Sequence, residues 1–299
     1  MTRANHPALL AEYIQILNQE GEKLQSTDLY IPYLQRFLKH QYSQIFSTSN
    51  EVQPLIFVSS TISPVLGQSR GQIVFGTPTD NLVQYFELKK NEYYLTSCPH
   101  NLLSGQLLKS KDPNIPIYML NIKSGKEISR KKVSIKLINK IKLQMKILTI
   151  SYGIGVLEGL QTATVNHAHI RKSNDVSLIS HNNISYQLAN NLIQLSKLKA
   201  VFRNCLERLQ AGDLNSMTEN VLMYLNDQTH QIVIDSAMQI FGAQSMKADT
   251  LPALAIKRSF SLRSLTENKT TVTHKIKSVL LKKSQSKNSK KNIYSIEGL

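Results

Sequence analysis

The sequence predicts an α+β chain: a short helical N-terminus, a small β-rich middle and a helical C-terminal half. Three observations carry this. Apolar residues return at helical spacing through residues 1–48 and again through 135–281. Between 53 and 122 the pattern changes to short β-branched and aromatic runs punctuated by Gly, Pro and Ser. Apolar residues make up 41% of the 299, enough for a sizeable core and too many for a disordered chain.

The elements follow in order. Leu10, Tyr13, Ile14 and Leu17 define a first helix, and Tyr33, Phe37 and Tyr42 mark a second. Ile56-Phe57-Val58, Ile73-Val74-Phe75 and Ile115-Pro116-Ile117-Tyr118 read as strands. Val83–Leu88, a polar Lys89-Lys90-Asn91-Glu92 and Tyr93-Tyr94-Leu95 read as a hairpin. Further on, Ile184, Leu188, Leu192, Leu195, Phe202, Cys205 and Leu209 form one helical face, ended by Gly212. Ser216-x-x-Glu219 has the form of a capping box opening the next helix, which runs towards Gly242. Pro252 interrupts the chain before a last helical stretch near Thr271–Leu281. The expected division is a helical segment over 1–50, a β-domain over 51–134, a helical domain over 135–283 and a disordered basic tail over 284–299. No internal repeat is present.

The charge is concentrated. The chain holds 36 Lys and Arg against 20 Asp and Glu. Residues 122–147 carry nine basic residues against Glu127, and residues 257–299 carry eleven against Glu267 and Glu297. These two segments account for the whole excess. They would attract phosphates of nucleic acid, nucleotide or lipid, or simply form solvated faces. Residues 275–291 lack the aromatics and arginines that read bases, so nucleic-acid affinity would be nonspecific.

Several classes are excluded. Two cysteines, Cys98 and Cys205, make neither a disulfide framework nor a Cys-rich zinc site. Cys205 reads as a small buried apolar residue. His167 and His169 are two apart on a helix and point to different faces, so no metal site is expected. No Walker, GxGxxG, HExxH or GxSxG motif occurs. Residues 147–165 are long enough to span a bilayer. Glu158 and Gln161 sit inside them, and an acid at mid-bilayer costs about 2.5–3.5 kcal/mol, so a helix buried in a bundle is expected. The start of the chain lacks the apolar stretch of a secretory signal, and a cytoplasmic protein is expected.

Three segments carry a resemblance. Ala168-His169-Ile170-Arg171-Lys172-Ser173-Asn174-Asp175 precedes His181-Asn182-Asn183-Ile184-Ser185-Tyr186-Gln187-Leu188-Ala189. Ala237-Met238-Gln239-Ile240-Phe241-Gly242-Ala243 follows, and Arg258 then stands nine residues before Glu267 in Leu265-Thr266-Glu267-Asn268-Lys269. In order, these resemble the ERxxFG and HQxIxxxLA elements, the VQIFGG element and the RDxxxxxIYEGT element of the acyl-CoA dehydrogenases. Gly155 fits the helix that opens the family's C-terminal domain.

The resemblance implies an up-down four-helix bundle of the acyl-CoA dehydrogenase type behind a β-domain. It implies FAD as cofactor and α,β-dehydrogenation of a fatty acyl-CoA thioester as reaction. Glu267 would be the base that takes the α proton, a role that asks for a carboxylate poised near neutral pH. Arg171 would meet the FAD pyrophosphate, usually across a dimer interface, where its planar fork suits phosphate oxygens. Asn182, Gln239 and Gly242 would line the cofactor. Acyl-CoA and a second subunit, identical or related, are the implied partners.

Plainer readings stand beside these roles: Arg171 as a surface arginine, Gly242 as a helix cap, Glu267 as a solvent-facing acid. The pattern also departs from the family. Asn174 and Asp175 replace Phe and Gly, Asn182 replaces Gln, Ala243 replaces the second Gly, Ser259 replaces Asp, and Asn268-Lys269 replace Gly-Thr. No TEPxxGSD-like loop is evident, and only about fifty residues precede the β region, where the family has a full helical domain. These departures suit a non-catalytic relative that keeps the bundle for dimerisation or partner binding.

Overall fold

A computed structural model describes residues 7–23, 30–43, 45, 52–54, 56–57, 72–75, 82–89, 92–108, 117–122, 129–247, 250–266 and 270–281. Two helices open the chain, α1 (Pro7–Glu22) and α2 (Tyr30–Gln41). Among the described residues eight strands follow: β1 (Val52–Pro54), β2 (Ile56–Phe57), β3 (Gln72–Phe75), β4 (Leu82–Lys89), β5 (Glu92–Pro99), β6 (Leu103–Leu108), β7 (Ile117–Ile122) and β8 (Ser129–Val133). They form two four-stranded sheets, β1-β4-β5-β8 and β2-β3-β7-β6. The bundle comprises α3 (Ile135–Ile170), α4 (Asn182–Ala211), α5 (Ser216–Phe241) and α6 (Leu251–Leu265). A short hairpin, β9 (Lys172–Ser173) and β10 (Val176–Ser177), joins α3 to α4. A last helix, α7, spans 270–281. The α+β order expected from the sequence is the order observed.

The hairpin read at 83–95 is β4–β5, antiparallel, with Leu88 opposite Tyr93 and Lys89 opposite Glu92. Val58, Lys90, Asn91, Ile115 and Pro116, which took part in the strand readings, lie outside the described residues. So does the tail, 284–299. Strands β1, β6 and β8 carry no clear sequence signal. β8 has the sequence SRKKV, and only Val133 is buried. As an edge strand it pairs on one side with β5, so its lysines remain in water, where they also discourage pairing with other chains.

Four local readings are corrected. The cap of α5 is Asn215, not Ser216: its Oδ1 accepts from the Thr218 amide and hydroxyl, and Glu219 is released to pair with Lys146 across the bundle at 2.9 Å. Pro252 does not interrupt a helix but sits in the first turn of α6, where its missing N–H has no intrahelical acceptor to serve. Two helices, rather than one, therefore follow Gly242. Leu192 does not join the buried face of α4; it is exposed, and Asn191 is buried in its place. The alternating three- and four-residue steps Leu188, Asn191, Leu195, Leu198, Phe202, Cys205 set the seam, and Leu192 falls beside it.

The candidate membrane stretch is the middle of α3. Glu158 pairs with Lys199 of α4 and accepts from Asn18 of α1 at 3.3 Å. Gln161 donates to the Leu188 carbonyl at 3.2 Å. Its polar residues thus face helices. No described helix is long and apolar enough to cross a membrane.

Two kinds of packing hold α3. Against α1 its backbone is in contact: a Cβ at Gly155 would strike the Asn18 carbonyl, one at Gly159 the Glu22 carbonyl, and one at Gly21 the Tyr152 carbonyl. Glycine is required at this approach. Ser151 Oγ also donates to the Ile14 carbonyl at 2.7 Å. Against α4 and α5, buried side chains meet. Asn191 Nδ2 donates to Gln161 Oε1 at 3.1 Å and to Ser236 Oγ at 2.9 Å, tying three helices. Cys205, buried on α4, has its thiol pushed up to about 11 by that burial, and behaves as the apolar residue expected.

Candidate cofactor site

The antiparallel order of the bundle brings the end of α3, the start of α4 and the end of α5 to one corner. The rings of His167 on α3 and Phe241 on α5 stack there, centroids 4.3 Å apart and planes 17° from parallel. Ala168, Leu188 and Ile240 pack beneath them. Burial, aided by the nearby Arg171 charge, holds the His167 imidazole below its usual range.

The corner gathers four of the five residues singled out from the sequence. Arg171 closes α3 as its C-terminal cap and is exposed. Its guanidinium makes no hydrogen bond or ion pair among the described residues. Asn182 is the first residue of α4, also exposed, and the capping position before it, His181, makes no side-chain cap bond. Gln239 is exposed in the last turn of α5. Gly242 ends α5 with φ 57° and ψ −135°, a conformation that residues with a Cβ rarely adopt, and a Cβ placed there would meet nothing within 4 Å. Backbone geometry therefore favours the glycine, and the space beside it is open. Glu267 lies outside the described residues.

The departures from the family pattern have local causes. Asn174 and Asp175 form the turn of β9–β10, with φ 52° and 62°. Both central residues of such a two-residue turn need positive φ, and Asn and Asp tolerate it best after Gly. The hairpin is thus written into the residues that replace the family's Phe and Gly. Ser259, in place of Asp, is buried on α6 and sits 2.7 Å from Nδ1 of the buried His230 on α5. Gly153 of α3 makes room for that ring, since a Cβ there would stand 2.8 Å from His230 Nε2. Arg258, the landmark of the third motif, is 1% exposed on the same helix. Nothing in the sequence singled out His230 or Gly153; their pairing requires the α3–α5–α6 packing.

With this geometry in view, the comparisons are specific. The family model for the C-terminal domain of acyl-CoA dehydrogenase matches residues 138–264. The model match covers most of the bundle, α3 to α6. The described residues have the acyl-CoA dehydrogenase fold. The chain is similar to an acyl-CoA dehydrogenase from Slackia heliotrinireducens (11% identity, TM-score 0.71), covering 93% of this chain and 82% of that one. It is similar to a chain of the ChsE4–ChsE5 complex from Mycobacterium tuberculosis (13% identity, TM-score 0.71), covering 93% and 84%. It is also similar to PigA, solved with FAD and proline (11% identity, TM-score 0.66), covering 89% and 81%. At such identities the likeness is one of fold. No curated protein matches the sequence. Among the described residues no group of His, Cys, Asp and Glu could hold a metal ion.

Within the acyl-CoA dehydrogenase bundle, α6 runs back from the cofactor corner. Ser259 lies level with His230, eleven residues before α5 ends, so Thr266 stands about 25 Å along the bundle from Phe241.

Proposed function

We propose that the chain is an FAD-dependent oxidoreductase that introduces an α,β double bond into an acyl-CoA thioester, with a second chain completing each flavin site. The observation that supports this reading is the corner itself. An unengaged, exposed guanidinium stands where α3 ends, beside an exposed amide and a glycine with open space at its Cα. Arg171 would hold the FAD diphosphate through its bidentate fork. Gln239 and Asn182 would offer amide donors, and Gly242 would let the cofactor approach the backbone. Asp175 opposes this by placing a carboxylate on the neighbouring turn. When bound, the flavin supplies a hydride acceptor. Glu267 would take the α proton, and closure of the site would keep water from the carboxylate and hold it near neutral pH.

The roughly 25 Å between the corner and the end of α6 supports the two-chain reading. The short ribityl link of FAD does not cover that distance, so one chain would hold the diphosphate while another presents the base. The partner would be a second copy or a related subunit.

The test is a visible spectrum of the purified chain, followed by FAD titration and then acyl-CoA. A yellow protein bleached by acyl-CoA supports the proposal. Arg171→Ala should weaken FAD binding by about tenfold or more. Glu267→Gln should keep the colour and lose the bleaching. A colourless chain that takes up no FAD overturns the proposal and leaves a non-catalytic scaffold, the reading that Asp175 favours.

A further inference from the structure

Helix α7 leaves apolar side chains on a charged surface. Val272 is fully buried against Ile147, Ile150, Ile154 and Phe202. Ile276 and Val279 follow on that inner face, four and seven residues on, and are half-buried. The outer face carries His274, Lys277, Leu280 and Leu281, all exposed, with each leucine at 52%. Lys277 is three and four residues from the leucines, so ammonium and apolar groups share one surface. The sequence continues Lys282-Lys283 and then adds Lys287, Lys290 and Lys291. Residues 275–291 thus hold seven lysines and no acid.

We infer that this face binds an anionic lipid surface. A polyanion would account for the lysines alone, whereas the leucines require an apolar phase beside the negative charge. A bilayer interface presents both: headgroups for the ammonium groups and the upper acyl region for Leu280 and Leu281. The lysine stems can lie along the apolar boundary with their charges at headgroup depth. Duplex nucleic acid offers the lysines the same attraction and the leucines nothing. Attachment through α7 is peripheral and leaves the Arg171 corner free.

The experiment uses the full chain and sedimentation with phosphatidylcholine vesicles, with and without about one-third phosphatidylserine. Binding should need the anionic lipid and fall about tenfold or more on moving from low to physiological salt. Leu280→Ser/Leu281→Ser should lose about tenfold with the fold intact by circular dichroism. Lys277→Gln/Lys282→Gln/Lys283→Gln should lose a similar factor. No binding to anionic vesicles at low salt overturns the inference. So does binding indifferent to the leucine substitutions. Duplex DNA that competes fully with vesicles, and binds the leucine variant as well as the parent, assigns the face to nucleic acid instead.

Discussion

On one side of α3, Gly155 and Gly159 bring its backbone against α1; on the other, Gln161 reaches Asn191 and Ser236 across two helices. The first contact has no side chains to rearrange. Any added atom must push one helix away from the other, because the obstacle is a backbone carbonyl. The second contact is made of side chains, and its loss leaves polar groups unpaired without moving a helix. A seam of glycine backbones should therefore fail as a unit, whereas a polar seam should weaken bond by bond.

The sharpest way to break this contrast is Gly155→Val. It should lower stability by about 3 kcal/mol or more and loosen α1, read by urea denaturation and by hydrogen exchange in residues 7–22. An unchanged midpoint would mean that α1 does not dock against Gly155. Asn191→Ala should cost about 1–3 kcal/mol while exchange in α1 stays unaltered, and a double-mutant cycle with Gln161→Ala should show coupling. Gly242→Ala separates contact from conformation: with open space at its Cα, only the backbone conformation is at stake, and about 1–3 kcal/mol is expected.

The buried seam also makes a statement about pH. Burial raises the Cys205 thiol from its ordinary 9.0 to about 11. Below pH 9 the thiol is protonated in both states. As pH rises from 9 towards 11, only the unfolded chain releases the proton, so stability falls, by roughly 1–2 kcal/mol. Cys205→Ala should remove that part of the alkaline slope, visible as a smaller shift of the urea midpoint over the same interval. The smallest effect should come from the surface end of the polar seam. Lys199→Gln removes the cationic partner of Glu158 and should cost under about 1 kcal/mol, less at high salt.

The order of helices and sheets was legible because periodicity is a local property. Leu188 to Cys205 and the β4–β5 hairpin show it. What failed was fine phasing. The reading placed Leu192 in the core because Leu is apolar, yet helix geometry gives the seam to Asn191, whose partners sit on α3 and α5. β8 was hidden because an edge strand needs no alternation when both faces meet water. At the candidate site, Arg171, Asn182, Gln239 and Gly242 were named through a resemblance, and no spacing within the sequence tells that they share a corner. His230 and Gly153 could not be found, since ring and glycine are far apart in sequence and meet only when α5 crosses α3. Asp175 was noted as a departure; its turn geometry gives the reason.

Only Ser134 separates β8 from α3, whose 36 residues make a rod about 54 Å long. Sheet and distant corner therefore share one lever. A tilt of about 2° at the sheet end sweeps Arg171 through roughly 2 Å, more than the margin between a made and a broken hydrogen bond. Whatever presses on the sheet is felt at the far end of the rod, with no chain of touching side chains needed to carry the message.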